Sequence, residues 1–143
     1  MVPKKQGVEM LGAVPIFSDL SKRDLGRLWD LMKIVEHAPG HAIITEGRRS
    51  FGFHLILDGE VRVILASKRV TLGKGDFFGE MALIDDGPRS ATVKAITSTT
   101  TAALSAAVFR SAVRDNPDVL WKLLVHTTKR LREAQTAAAN LTS

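Results

Sequence analysis

The chain has 143 residues, of which 45% are hydrophobic and 24% are charged, with a formal charge of +5 and no cysteine. This composition predicts one globular domain over residues 1–143, and it excludes disulfides and thiolate chemistry. No run approaches the roughly 18 apolar residues of a membrane helix and no secretory signal pattern occurs, so we expect no membrane segment and a cytoplasmic location.

Residues 1–33 are predicted to form an N-terminal helical part. Ser21 and Asp24 resemble a helix-capping pair. Behind them, apolar residues recur at helical spacing, namely Leu25, Leu28, Met32 and Val35. The spacing predicts an amphipathic helix.

Residues 34–105 consist of short runs rich in Val, Ile, Leu and Phe that are separated by turn residues. Asp58–Gly59 lies between the runs 53–57 and 61–65 and predicts a β-hairpin, because a primed turn requires positive φ. Further strands are predicted over 68–72, 90–96 and Thr99–Leu104. The pattern predicts an α+β fold, an antiparallel β jelly roll (double-stranded β-helix) flanked by N-terminal and C-terminal helices.

The segment 78–93 reads FGEMALIDDGPRSATV and combines a carboxylate, a guanidinium and small residues. Glu80 is an acceptor suited to sugar hydroxyls, and Arg89 can fork onto phosphate oxygens. The intervening short helix has first-turn N–H groups that suit an anion, and the turn at 85–88 brings Arg89 back towards them. The segment therefore predicts a site for a compact phosphate-bearing sugar.

This segment resembles the phosphate-binding cassette of cyclic-nucleotide-binding domains, as found in catabolite activator protein and in protein kinase regulatory subunits. The resemblance rests on Gly79-Glu80, Ala82-Leu83, Arg89 and Ala91-x-Val93. It implies a sensor rather than an enzyme, with Glu80 on the ribose 2′-hydroxyl and Arg89 on the cyclic phosphate. The other ligand-binding residues that it implies are Gly79, Met81, Ala82, Leu83, Ser90, Ala91, Val63 beside the base and Gln135 near the cap of the base.

The resemblance also bears on the ligand, because Ser90 directly after the arginine favours cyclic AMP over cyclic GMP. No resident cofactor, catalytic residue or metal site is expected: Pro39–Gly40 separates His37 from His41, so these cannot form a helical ligand pair. Three alternatives stay open. They are a degenerate, ligand-free domain that acts as an interaction module, a basic nucleic-acid-binding protein, and a metal-dependent jelly-roll enzyme.

Residues 106–143 are predicted to form C-terminal helices, the last of which begins at Pro117 and runs to about residue 140. Its apolar residues repeat at heptad-like spacing, namely Leu120, Leu124, Thr127, Leu131, Ala134, Ala138 and Leu141. This seam either packs on a partner helix or packs back on the β-roll, and the resemblance favours a homodimer. Ligand is expected to reposition these helices about a hinge at 105–117 and so to act on an unknown effector. No DNA-binding domain is expected in this chain.

Overall fold

The computed structural model describes residues 2–45, 47, 52–85 and 91–142. The helices are α1 (Lys4–Gly12), α2 (Lys22–Leu31), α3 (Ala106–Arg114) and α4 (Pro117–Thr142), with 3₁₀ turns at Pro15–Phe17 and Glu80–Leu83. We call the second of these turns the cassette helix. The strands are β1 (Lys33–His37), β2 (Ala42–Ile44), β3 (Phe53–Asp58), β4 (Val61–Ile64), β5 (Arg69–Leu72), β6 (Phe77–Phe78), β7 (Thr92–Ala95) and β8 (Thr99–Leu104).

The described strands form two antiparallel four-stranded sheets, ordered β1-β8-β3-β6 and β2-β7-β4-β5. β3 is buried from Phe53 to Leu57 because both of its faces are covered. Phe53 and Leu55 pack with the helices, whereas Ile56 packs with residues of the opposite sheet, such as Val93. Because successive side chains of β3 point to opposite faces, one apolar core lies on each side of this strand. The predicted antiparallel β-roll with flanking helices is confirmed.

The turn at Asp58–Gly59 does not close a β-hairpin, so that prediction is wrong. β3 pairs with β8 and β6, whereas β4 pairs with β5 and β7. The turn therefore carries the chain from one sheet to the other. Gly59 has the positive φ that the sequence predicts, +94°, but a Cβ there would lie 2.5 Å from the Ser98 carbonyl oxygen. Turn chemistry fixes the local bend, and tertiary packing selects the partner strand.

The helix predicted to extend through Met32 and Val35 ends earlier, at Leu31. Met32 is extended with a ψ of 149°, and Val35 pairs with Thr101 in the sheet. The backbone hydrogen bonds of the β1–β8 ladder replace those of a further helical turn. The Ser21 cap is confirmed, since its hydroxyl accepts a hydrogen bond from the Asp24 N–H at 3.1 Å.

The C-terminal helices begin where the sequence predicts. The Ser105 hydroxyl caps α3 by accepting from the Val108 N–H at 3.1 Å. α4 buries Val119 and Leu123, each 4% exposed, in the helix-facing core. Its predicted seam is instead exposed at three leucines, Leu120, Leu124 and Leu131, with 44%, 57% and 58% of their surface accessible. These three leucines of the seam therefore do not pack back on the β-roll. No helix in the described part of the chain combines the length and apolar character needed to span a bilayer.

Candidate functional site

A cavity of about 540 Å³ opens between the β2-β7-β4-β5 sheet and the cassette helix. Its volume lies within the range of roughly 300–1,000 Å³ that is usual for small-molecule sites. The residues that line it are Ile44, Val63, Leu65, Lys68, Val70, Leu72, Phe77, Phe78, Gly79, Glu80, Met81, Ala82, Asp85, Ala91 and Val93. One wall is mostly apolar, and the other is the cassette helix, which begins at Glu80 directly after Gly79.

The cassette helix forms the polar wall. Gly79 precedes it in the left-handed conformation, with a φ of +82° and a ψ of 12°, which an L side chain adopts only at a cost. The Ala82 N–H donates to the Gly79 carbonyl at 3.2 Å, so this N–H group already has a partner. Glu80 is half-buried and lines the cavity, whereas Leu83 is fully buried in the helix-facing core. One short turn thus presents a carboxylate on one side and is anchored on the other.

The apolar wall comes from the β4–β5 hairpin. Val63 pairs with Val70, and Val61 pairs with Leu72 across the ladder. Because these neighbours share a face, Val63, Val70 and Leu72 all reach the cavity. Such a surface suits the flat face of an aromatic base. The sequence predicts only Val63 at this wall, although the alternation of Val70 and Leu72 in the next strand is the signal for the other two.

The turn before β6 fixes the entry to the cassette. The Ile56 N–H donates to the Asp76 carbonyl at 2.9 Å, and the Gly75 N–H donates to the Ile56 carbonyl at 2.9 Å. The Asp76 carboxylate also accepts from the Gly73 N–H at 2.9 Å. Phe78 follows as a buried side chain whose ring stacks on His54, with centroids 5.0 Å apart. The backbone leading into Gly79 is therefore held by β3.

Most of the predicted ligand-binding residues that the structure describes meet at this cavity, namely Val63, Gly79, Glu80, Met81, Ala82 and Ala91. Leu83 does not line it. Gln135 is exposed on α4 and is not among the lining residues. Arg89 and Ser90 lie outside the described residues, so the phosphate end of the site stays a prediction. Two charged lining residues, Lys68 and Asp85, were not predicted, because nothing in their local pattern separates them from ordinary turn residues.

Histidines lie behind the cavity rather than in it. Burial, and then the charge of His41, lower the pKa of His37 below its ordinary value of 6.5. The two rings stack with centroids 5.8 Å apart. Among the residues that the structure describes, no three His, Cys, Asp or Glu side chains are grouped so as to hold a metal ion.

The fold and cavity define a small-molecule-binding β-roll whose polar wall is a glycine-initiated cassette. The family model for the cyclic nucleotide-binding domain matches residues 34–116, and the chain belongs to this family. Of the classes considered from the sequence, this match supports the cyclic-nucleotide-binding class.

Relatives and solved structures agree with that assignment. The chain is 41% identical over 97 residues to a cAMP-dependent protein kinase regulatory subunit of Yarrowia lipolytica, covering 66% of this chain and 26% of the subunit. The corresponding subunit of Schizosaccharomyces pombe is 42% identical over 90 residues, covering 62% of this chain and 22% of the subunit. The chain thus spans about a quarter of the length of these relatives.

Two solved structures share the fold. The N-terminal domain of a transcriptional regulator from Streptomyces coelicolor superposes with a TM-score of 0.82 at 27% identity, covering 90% of this chain and 96% of that one. The Thermus thermophilus catabolite activator protein superposes with a TM-score of 0.67 at 28% identity, covering 90% of this chain and 63% of that one. The predicted jelly roll and its family are therefore both confirmed.

Proposed function

We propose that the chain is a sensor that binds cyclic AMP in preference to cyclic GMP and repositions its C-terminal helices in response. The observation that carries the proposal is the cavity between the Gly79-Glu80 cassette wall and the apolar β4–β5 wall. Glu80 accepts from the ribose hydroxyl, and the purine lies against Val63 and Val70. Arg89, Ser90 and the Ala91 amide hold the phosphate, as the family resemblance implies. The role is binding rather than catalysis, in the cytoplasm.

The preference for cyclic AMP is supported by the names of the relatives, which are cAMP-dependent protein kinase regulatory subunits. Ser90 after the arginine favours the same base. Gln135 is expected to approach the base only if α4 moves, because it is exposed in the present arrangement.

A physical route leads from the cavity to the C-terminal helices. Leu83, on the cassette helix, packs in the same buried cluster as Phe109 and Val113 of α3 and Leu123 of α4. The Arg110 guanidinium also donates to the Ile84 carbonyl at 3.3 Å. Movement of the cassette helix on ligand binding therefore changes the packing of α3 and α4. Ligand shifts the equilibrium only as far as it binds one arrangement of these helices more tightly than the other.

Homodimerisation through α4 is part of the proposal. The exposed leucines of the seam, together with Trp121 at 66% exposure, form an apolar stripe on one helix. A second copy of the helix would cover this stripe through a/d packing.

Isothermal titration calorimetry of the wild type and two matched variants tests the ligand. Glu80→Gln keeps the shape of the side chain but removes its charge, and loss of a charge-assisted hydrogen bond worth about 1.5–3 kcal/mol weakens binding by about 10- to 150-fold. Glu36→Gln is the control, because Glu36 is exposed on β1 and does not line the cavity. We expect cyclic AMP to bind the wild type and the control with equal affinity. Both proteins should bind cyclic GMP more weakly than cyclic AMP, and neither should bind 5′-AMP.

The outcomes separate the parts of the proposal. Unchanged cyclic AMP affinity in Glu80→Gln would remove Glu80 from the ribose contact, and unchanged affinity in Arg89→Ala would remove Arg89 from the phosphate contact. Tighter binding of cyclic GMP would overturn only the base preference. Binding of neither cyclic nucleotide would favour the ligand-free domain that acts as an interaction module.

A further inference from the structure

Two histidines and a threonine form a buried polar row inside the β-roll. Thr101 is fully buried, and His37 and His54 are only 7% and 5% exposed. His37 Nε2 and His54 Nδ1 each lie 3.0 Å from the same atom, Thr101 Oγ1. The strands that carry the histidines, β1 and β3, flank β8, which carries the threonine. We call these three residues the histidine row.

The shared hydroxyl couples the protonation of the two rings. A threonine hydroxyl has one hydrogen to donate and can accept two hydrogen bonds. In the neutral row it donates to one imidazole nitrogen and accepts from the N–H of the other ring. When both rings are protonated, both nitrogens donate to Oγ1, and the hydroxyl hydrogen loses its acceptor. A buried polar group without a partner is costly, so acid disfavours the present arrangement of the row.

The groups around His37 add to this effect. The titratable groups facing it among the described residues are His41, from the β1–β2 turn, and His54, whose ring centroid is 5.9 Å away. Thr99 and Thr101 of β8 direct their hydroxyls to the face of the sheet that carries His37, and Phe78 of β6 lies beside His54. Positive charge on His41 therefore opposes protonation of His37.

The row is joined directly to the cavity wall. His54 pairs with Phe78 in the β3–β6 register, and their rings stack with an interplanar angle of 14°. Phe78 lines the cavity and is followed immediately by Gly79 and Glu80. A shift of the His54 ring is thus transmitted to the residue that positions the cassette.

We propose that protonation of the histidine row weakens ligand binding in the cavity, so that affinity falls as the pH is lowered through the mildly acidic range. The inference rests on the proposed function, with cyclic AMP as the ligand. Ligand binding needs Phe78 and Glu80 in their present positions, and acid disfavours these positions. The histidine row therefore binds fewer protons in the ligand-bound chain than in the ligand-free chain. Ligand binding therefore releases protons, and by linkage acid opposes binding.

The choice of pH window isolates the histidines. Between about pH 7.5 and 5.5, carboxylates with ordinary pKa values near 4 stay ionised, whereas imidazoles change charge. A cyclic phosphodiester keeps its single negative charge throughout this range. A pH effect on affinity in this window that the histidine substitutions remove therefore reports on histidine.

The test is calorimetric titration of the full chain with cyclic AMP at about pH 7.5, 6.5 and 5.5, with an expected weakening of about tenfold for a coupling of one pKa unit. His37→Gln and His54→Gln retain a polar partner for Thr101 but cannot titrate, and we expect each to flatten the pH dependence. His126→Gln is the matched control, and we expect it to keep the pH dependence of the wild type. His126 lies on α4 rather than in the histidine row, and its Nδ1 is 3.8 Å from Asp19 Oδ2. Repeating the wild-type titration in two buffers of different ionisation enthalpy measures the protons released.

A second measurement needs no variant. NMR titration of the wild-type histidine ring protons, with and without cyclic AMP, should give a lower pKa for the row in the bound form. Equal values in both forms, or an affinity that is flat or rises with acid, would overturn the proposal while leaving the nucleotide function intact. Absence of cyclic AMP binding at every pH would overturn the proposed function and this inference with it.

Discussion

Substitution of Gly59 by alanine tests the crossing between the sheets. Gly59 has a φ of +94°, where a non-glycine residue costs about 1–2 kcal/mol. A Cβ would also lie 2.5 Å from the Ser98 carbonyl oxygen and 2.7 Å from the Thr99 Cα. These are backbone atoms, so no change of rotamer relieves the collision. Overpacking of this kind adds about 1–3 kcal/mol, which brings the expected loss of folding free energy to about 2–5 kcal/mol.

Gly40→Ala is the matched control for this experiment. Gly40 has a similar φ of +83°, but a Cβ there would meet nothing within 4 Å. We expect it to lose only the conformational cost of about 1–2 kcal/mol. The gain from restricting the unfolded chain, about 0.4–1 kcal/mol for Gly→Ala, applies to both variants and cancels in their difference. Urea denaturation followed by circular dichroism measures the two values. Equal losses would refute the close approach of the turn to Ser98.

Two further predictions concern assembly and pH. Leu124→Glu combined with Leu131→Glu should give a monomer by analytical ultracentrifugation at concentrations where the wild type is a dimer, because both side chains lie on the exposed seam; a monomeric wild type would contradict the seam's role. Folding stability should decrease as the pH falls below about 6.5, because the pKa of His37 is lower in the folded chain and the unfolded chain takes up protons first. Urea midpoints at about pH 7.5, 6.5 and 5.5 measure this change. If the midpoint of His37→Gln fell with pH as steeply as that of the wild type, His37 would not be the source of the pH dependence.

Local signals were sufficient for the Ser21 cap and the start of the last helix. Ser21 accepts from the N–H three residues on, and Pro117 begins α4 where its fixed φ is already helical. The sequence also predicts that Glu80 and Val63 share a ligand site, and the structure brings both to one cavity. These features depend on residues close in the chain or on a motif of fixed spacing.

Tertiary packing decided which strands pair and which residues complete the site. A turn at Gly59 is compatible with a hairpin or with a crossing between sheets, and only the burial of β3 on both faces selects the crossing. The histidine row joins residues 37, 54 and 101, whose sequence separations of 47 and 64 carry no local pattern. Backbone preferences act over a few residues, whereas partner choice minimises exposed apolar surface over the whole chain. The sequence alone therefore determined the Ser21 cap, the start of α4 and the motif, and only the folded chain determined the strand pairing and what lies behind the cavity.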